Sequence, residues 1–153
     1  MGAIESPYEE FAETLRKGDF GIPVDPAAWP AELVAAHVIM NNDLLTEAAR
    51  AVKSGREPTY DSTPTHDGQV LRELLIRTGS LTELADEVER SASDLQAAYD
   101  MLDAQQRRVP VPSRIVHEGE VVMDGPRAIG DLVEVNAAAH LEDHLQQLLD
   151  LRD

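Results

Sequence analysis

Two histidines, His140 and His144, sit four residues apart in NAAAHLEDHLQQLLDL near the C-terminus, in a run whose apolar spacing predicts a helix. Imidazoles at i and i+4 project from one helix face and can chelate a single divalent cation. His37 is the third such residue. It falls in the middle of the apolar stripe of AELVAAHVIMNNDLLTEAARAVKSG, with Asn41 one turn further along the same face. Three imidazoles turned toward a core are costly to bury without strong partners, and a divalent cation satisfies all three at once. A buried hydrogen-bond network of His, Asn and Gln would use the same residues, so both readings stand open at this level.

Projected at about 100° per residue, the last helix centres its apolar face on Ala137, Leu141, Leu145 and Leu148, with His144, Val133 and Leu151 on one flank. His140 lies further round, beside Gln147, Ile129 and Asn136, so the stripe shades into a polar strip. That edge is where substrate could reach a metal, and it makes His140 the first of the three that the set could lose. Asn41, Asn136 and Gln147 are candidates to hold the second ring nitrogen of a ligand or to touch substrate. Arg127, at the expected start of the last helix, could bind a substrate carboxylate, although an exposed arginine near a helix end is the simpler role. His66 and His117 fall in an expected loop and turn beside acidic residues and read as solvated surface histidines.

The elements that must position these residues are mostly helices. Ser6-Pro7 opens a short helix to about Lys17, and the glycines and prolines of residues 18–26 form a loop. Trp29-Pro30 opens the long helix of His37, and Gly55 is placed to close it. Residues 56–68, rich in Pro, Asp, Ser, Thr and Gly, read as a loop. A shorter helix runs from Gln69 to about Thr78. Ser80-Leu81-Thr82-Glu83 is a capping-box sequence, and Leu84, Val88, Ala92, Leu95 and Leu102 form the face of a helix ending near Arg107. VPVPSRIVHEGEVVMD reads as a small hairpin about His117-Glu118-Gly119-Glu120, and Gly125-Pro126 starts the last helix, to about Leu151. The expectation is therefore an all-α four-helix bundle with an extra short helix and a small hairpin before the last helix, forming a single domain over residues 1–153.

At 153 residues the chain suits one domain, and its 42% hydrophobic content, with one Trp and two Phe, suits helix-on-helix packing. A net charge of −16 argues against nucleic acid, whose phosphates need a concentrated positive face. The chain has no cysteine, so no disulfide, thiolate ligand or cysteine nucleophile is available, and any thiol chemistry uses a thiol from elsewhere. The acidic N-terminus is unlike a signal peptide, and no apolar stretch has membrane-spanning length, so a cytoplasmic protein with no membrane partner is expected.

AWPAELVAAHV and AAHLEDHLQQL resemble the Trp-before-helix, first ligand histidine and HxxxH pair of the DinB/YfiT-like metalloenzyme superfamily. The resemblance spans most of the chain. It is similar to the branch of the N-terminal domain of mycothiol-dependent maleylpyruvate isomerase, which often has Glu-xxx-His where this chain has His-xxx-His, a pairing closer to the general superfamily pattern. The resemblance implies a divalent metal, Zn or Ni, on His37, His140 and His144. It also implies a low-molecular-weight thiol of the mycothiol or bacillithiol type, used for S-transfer or isomerisation of a small electrophile. A metal-dependent hydrolase is the rival enzyme. The non-enzymatic rival is a bundle whose polar strip is a structural metal clip or the contact of a homodimer.

Overall fold

The computed structural model describes residues 2–117 and 119–152. Helices α1 (Tyr8–Lys17), α2 (Ala31–Ser54) and α4 (Leu81–Asp100) pack side by side, with α3 (Gly68–Thr78) against α2. The last helix closes the core and has three parts: α5 (Ile129–Val135), a π turn (Asn136–His140) and α6 (Leu141–Asp150). Phe11, Leu15, Leu45, Leu84, Leu95 and Leu148 are fully buried where these helices meet. Burying side chains of this size contributes about 1.5–3 kcal/mol each, which makes this shared core the main support of the site. Between α2 and α4, Arg90 reaches Asp43 on the neighbouring helix as well as Glu87 and Asp94 on its own.

The helix ends show how the sequence enforces these lengths. Gly55 takes φ 73°, the left-handed conformation that a side chain disfavours, and its N–H bonds the carbonyls of Ala51 and Val52. Ser80 accepts a hydrogen bond from the Glu83 amide at 3.3 Å, capping α4. Asp67 caps α3, accepting from the amides of Gln69 and Val70.

The all-α expectation is corrected by a three-stranded mixed sheet. β2 (Pro110–His117) and β3 (Glu120–Ala128) pair antiparallel, and β1 (Tyr60–Asp61) pairs parallel with β2, Tyr60 opposite Ser113. Glu118, in the expected hairpin turn, lies outside the described residues. A two-residue strand is too short to show a period in sequence, and β1 exists only because β2 offers it a partner. The last helix also starts later than expected, at Ile129. Gly125, Pro126 and Arg127 extend β3, where ladder pairing with Ser113, Pro112 and Val111 overrides the tendency of proline to open a helix. α4 ends at Asp100, short of the expected Arg107. Arg107 instead lays its guanidinium 3.9 Å over the Tyr99 ring and donates to the Tyr99 carbonyl at 3.2 Å.

The π turn shifts the helix phase. The Leu141 N–H bonds the carbonyl of Asn136, five residues back. Upstream, Ile129, Leu132, Val133 and Asn136 are buried; downstream, the buried residues are Leu141, Leu145 and Leu148. On an unbroken helix those two sets would face directions about 140° apart, and the one residue absorbed in the wide turn takes up about 100° of that difference.

Candidate metal centre

Where helices α1, α2, α5 and β1 meet, the core is polar. The Tyr60 hydroxyl donates to Asn41 Oδ1, and Asn41 Nδ2 donates to Asn136 Oδ1. Asn136 Nδ2 donates both its hydrogens, to the Tyr8 hydroxyl at 2.9 Å and to Asn42 Oδ1 at 3.0 Å, while Tyr8 donates to Asn42 Oδ1 at 2.9 Å. Asn42 Nδ2 then donates to Ser91 on α4 at 3.1 Å. Burial pushes the Tyr8 and Tyr60 hydroxyls well above the ordinary tyrosine range, so both remain proton donors. Asn41 and Asn136 thus bond to one another and to tyrosines within this network.

One turn away along α2, the imidazoles gather. The ring centres of His37 and His144 are 4.6 Å apart, those of His37 and His66 5.0 Å, and those of His140 and His144 6.2 Å. His37 is buried and the other three are half-buried. Among the described residues no three His, Asp or Glu side chains stand in a metal-holding arrangement. Ring contacts run instead in sequence from His66 to His37 to His144 to His140.

The donor chemistry nonetheless suits a divalent cation. His37 Nδ1 lies 2.7 Å from the carbonyl of Thr65, a group that can only accept, so the proton is on Nδ1 and the lone pair on Nε2. His144 Nδ1 donates to Gln147 Oε1 at 2.8 Å, which likewise frees Nε2. This is the outer-partner pattern that orients ligating histidines. Burial holds His37 down to about 3, with the neighbouring His144 ring adding to the effect and the Thr65 carbonyl opposing it. His66, His140 and His144 are also lowered, each first by burial. Neutral rings have a lone pair to donate.

The sheet supports this cluster from outside the helices. Ser62 Oγ accepts from the Val116 amide on β2 at 2.8 Å, and the Ser62 amide donates to the Arg114 carbonyl at 2.9 Å. A 3-10 turn, Thr63–His66, follows, whose fully buried Thr65 both presents its carbonyl to His37 and bonds back to Ser62 through its hydroxyl at 2.6 Å. The expectation of a solvated His66 is therefore corrected: its ring packs against those of His37 and Trp29, the latter at 5.9 Å, and donates a hydrogen bond to the Val116 backbone. His117, exposed at the end of β2, is close enough to influence both His66 and His140. All five histidines of the chain thus converge on one region.

Arg127 is remote from it. It stands exposed on β3 opposite Val111, six positions along β2 from His117, or about 20 Å at strand rise. Sequence reasoning passed over another cation, Arg72 on α3. A cavity of about 600 Å³ is bordered by Trp29, Leu33, Leu75, Glu32 and Arg72, and Trp29 packs 5.3 Å from His37. Arg72 makes no ion pair with a described residue. Its only signal in sequence was its place on the exposed side of α3.

No helix among the described residues is long and apolar enough to cross a membrane. Residues 3–124 match the family described as "Mycothiol maleylpyruvate isomerase N-terminal domain". Neither a curated protein nor a solved structure matches the chain.

Proposed function

This chain belongs to the mycothiol maleylpyruvate isomerase N-terminal domain family, a mycothiol-related, DinB-like family, and from that premise we propose that it is a divalent-metal protein that uses a low-molecular-weight thiol. In this reading His37 and His144 hold Zn or Ni through Nε2, and His140 is the third nitrogen by the HxxxH pattern. The thiol, of mycothiol or bacillithiol type, serves S-transfer or isomerisation of a small electrophile. When bound, such an ion supplies positive charge that lowers the pKa of a thiol and keeps its sulfur a nucleophile. The chain's own residues orient and enclose: the Thr65 carbonyl and Gln147 fix the two tautomers, and Trp29 packs its ring against that of His37. Arg72, which borders the cavity beside Trp29, is a better candidate than Arg127 to bind a carboxylate on the electrophile.

The observation that carries the reading is the His37–His144 pair, two neutral rings 4.6 Å apart with each Nδ1 held by an oxygen acceptor. The test is elemental analysis of untagged protein and of His144→Ala. Stoichiometric metal that the substitution removes is expected; traces of metal that the substitution leaves unchanged would sink the reading. Thermal stabilisation by mycothiol should appear in the metal-loaded form and be absent from the stripped form, and equal shifts in both would refute the thiol role.

A further inference from the structure

We infer that the cavity between the start of α2 and α3 binds a small zwitterion of the amino-acid type, its carboxylate on Arg72, its ammonium on Glu32 and its apolar body against Trp29. The inference deepens the carboxylate role given to Arg72 above. It rests on that reading for what the bound molecule does in a reaction, while the binding itself needs no metal.

The two charges carry it. Arg72 and Glu32 border the same cavity of about 600 Å³, within the range of about 300–1,000 Å³ of small-molecule sites. Neither has an ion-pair partner among the described residues, and they do not pair with one another. Arg16 and Arg90, by contrast, each reach two or more carboxylates. The Arg72 guanidinium is folded back one turn along α3, where a side-chain carbon added at Gly68 would meet Nη1 at 3.4 Å. Its charge stands at the Gly68 end of the cavity, and Glu32 stands in the first turn of α2.

A ligand with one charge leaves the other unanswered. An anion on Arg72 would share the cavity with Glu32 and approach a chain of net charge −16, which lowers the local concentration of anions. A cation on Glu32 would face Arg72. A molecule that carries both charges and no net charge escapes both penalties, and each charge-assisted bond gains from the apolar walls that exclude part of the water. Those walls choose the rest of the ligand. Leu33 is buried, and Trp29 and Leu75 are partly buried, so an apolar side chain covers them and an aromatic one pairs with the indole. Trp29 is held in turn by the rings of His37 at 5.3 Å and His66 at 5.9 Å, and Asp67 fixes the start of α3 as its cap.

Trp29 is the only tryptophan of the chain, so its fluorescence reports on the cavity. L-phenylalanine, hydrocinnamate and phenethylamine share one ring and differ in their charges: both, the carboxylate alone and the ammonium alone. Each is titrated into stripped full-length protein, with L-leucine as the aliphatic counterpart and calorimetry alongside to register binding that leaves the indole emission unchanged. Phenylalanine should bind saturably and at least about tenfold more tightly than either analogue, as one charge-assisted hydrogen bond is worth. Arg72→Gln should bring phenylalanine down to the affinity of phenethylamine, and Glu32→Gln to that of hydrocinnamate, with both variants checked for folding by circular dichroism. Hydrocinnamate binding as tightly as phenylalanine would overturn the inference in favour of a plain anion site. Absence of saturable binding by phenylalanine and by leucine would overturn it outright. Amino-acid binding by a protein that takes up no zinc or nickel would sink the metal reading alone, and metal uptake without amino-acid binding would sink this inference alone.

Discussion

Asn136→Ala should destabilise the fold by about 3 kcal/mol, and the bonds it removes say why. Its Oδ1 is the acceptor for Asn41 Nδ2, and its Nδ2 supplies Tyr8 and Asn42. After truncation the Tyr8 hydroxyl still donates to Asn42 Oδ1, so those two atoms each keep a partner. Asn41 Nδ2 does not; its other amide atom is already engaged by Tyr60. One buried donor left without an acceptor costs about 1–3 kcal/mol, and the two lost bonds to partly satisfied atoms add roughly 0.5–1 kcal/mol each. Because Asn136 is buried, solvent cannot repair the gap in place. The measurement is urea unfolding of the stripped protein followed by circular dichroism, with an expected fall in midpoint at unchanged slope, and a Tm lower by about 6–12 °C. Tyr8→Phe should cost about 1 kcal/mol, and the double variant less than the sum, since the residues share a network. A loss under about 1 kcal/mol for Asn136→Ala at unchanged slope would refute the reasoning, because it would mean that the orphaned amide finds another acceptor.

Gln147→Ala removes the acceptor that orients His144, and metal affinity should drop about tenfold or more while unfolding of the stripped protein is unchanged, as befits an exposed glutamine; competition with a chromophoric chelator reads this out. Gly130→Ala would bring a methyl group to 3.0 Å from the Arg107 carbonyl oxygen and 3.2 Å from its Cβ. Both are parts of the chain that cannot swing aside, so a loss of about 1–3 kcal/mol in urea unfolding is expected.

The helices were legible wherever an apolar period could run for several turns. α2 and α4 follow from the spacing of Leu33, His37 and Ala48 and of Leu84, Val88, Ala92 and Leu95, and their glycine and serine ends from local backbone chemistry. β1 was not, because its two residues owe their conformation to Ser113 and Arg114, more than fifty positions away. His66 was misjudged for the same reason: beside Asp67 and among turn-forming residues its neighbours in sequence are polar, whereas its neighbours in space are Trp29, His37 and Val116. Arg127 failed through an element boundary, placed on a helix that begins two residues later. The jump of the apolar stripe between Val133 and Leu141 was present in the sequence, and a projection that kept one phase throughout averaged it into a polar flank.

The π turn has a consequence for lineage comparison. Loops such as residues 18–30 can lengthen or shorten at little cost, yet the interval from Asn136 to His144 behaves as a fixed ruler. Its upstream mark is read by Asn41 and Asn42, and its downstream mark by His37. Deleting one alanine from Ala137–Ala139 would restore an ordinary helical turn and rotate everything after it by about 100°, with the network intact and His144 swung off the cluster. Relatives can therefore be aligned by the length of this interval as well as by its residues, and a one-residue gap there marks a lineage whose last helix serves a different chemistry.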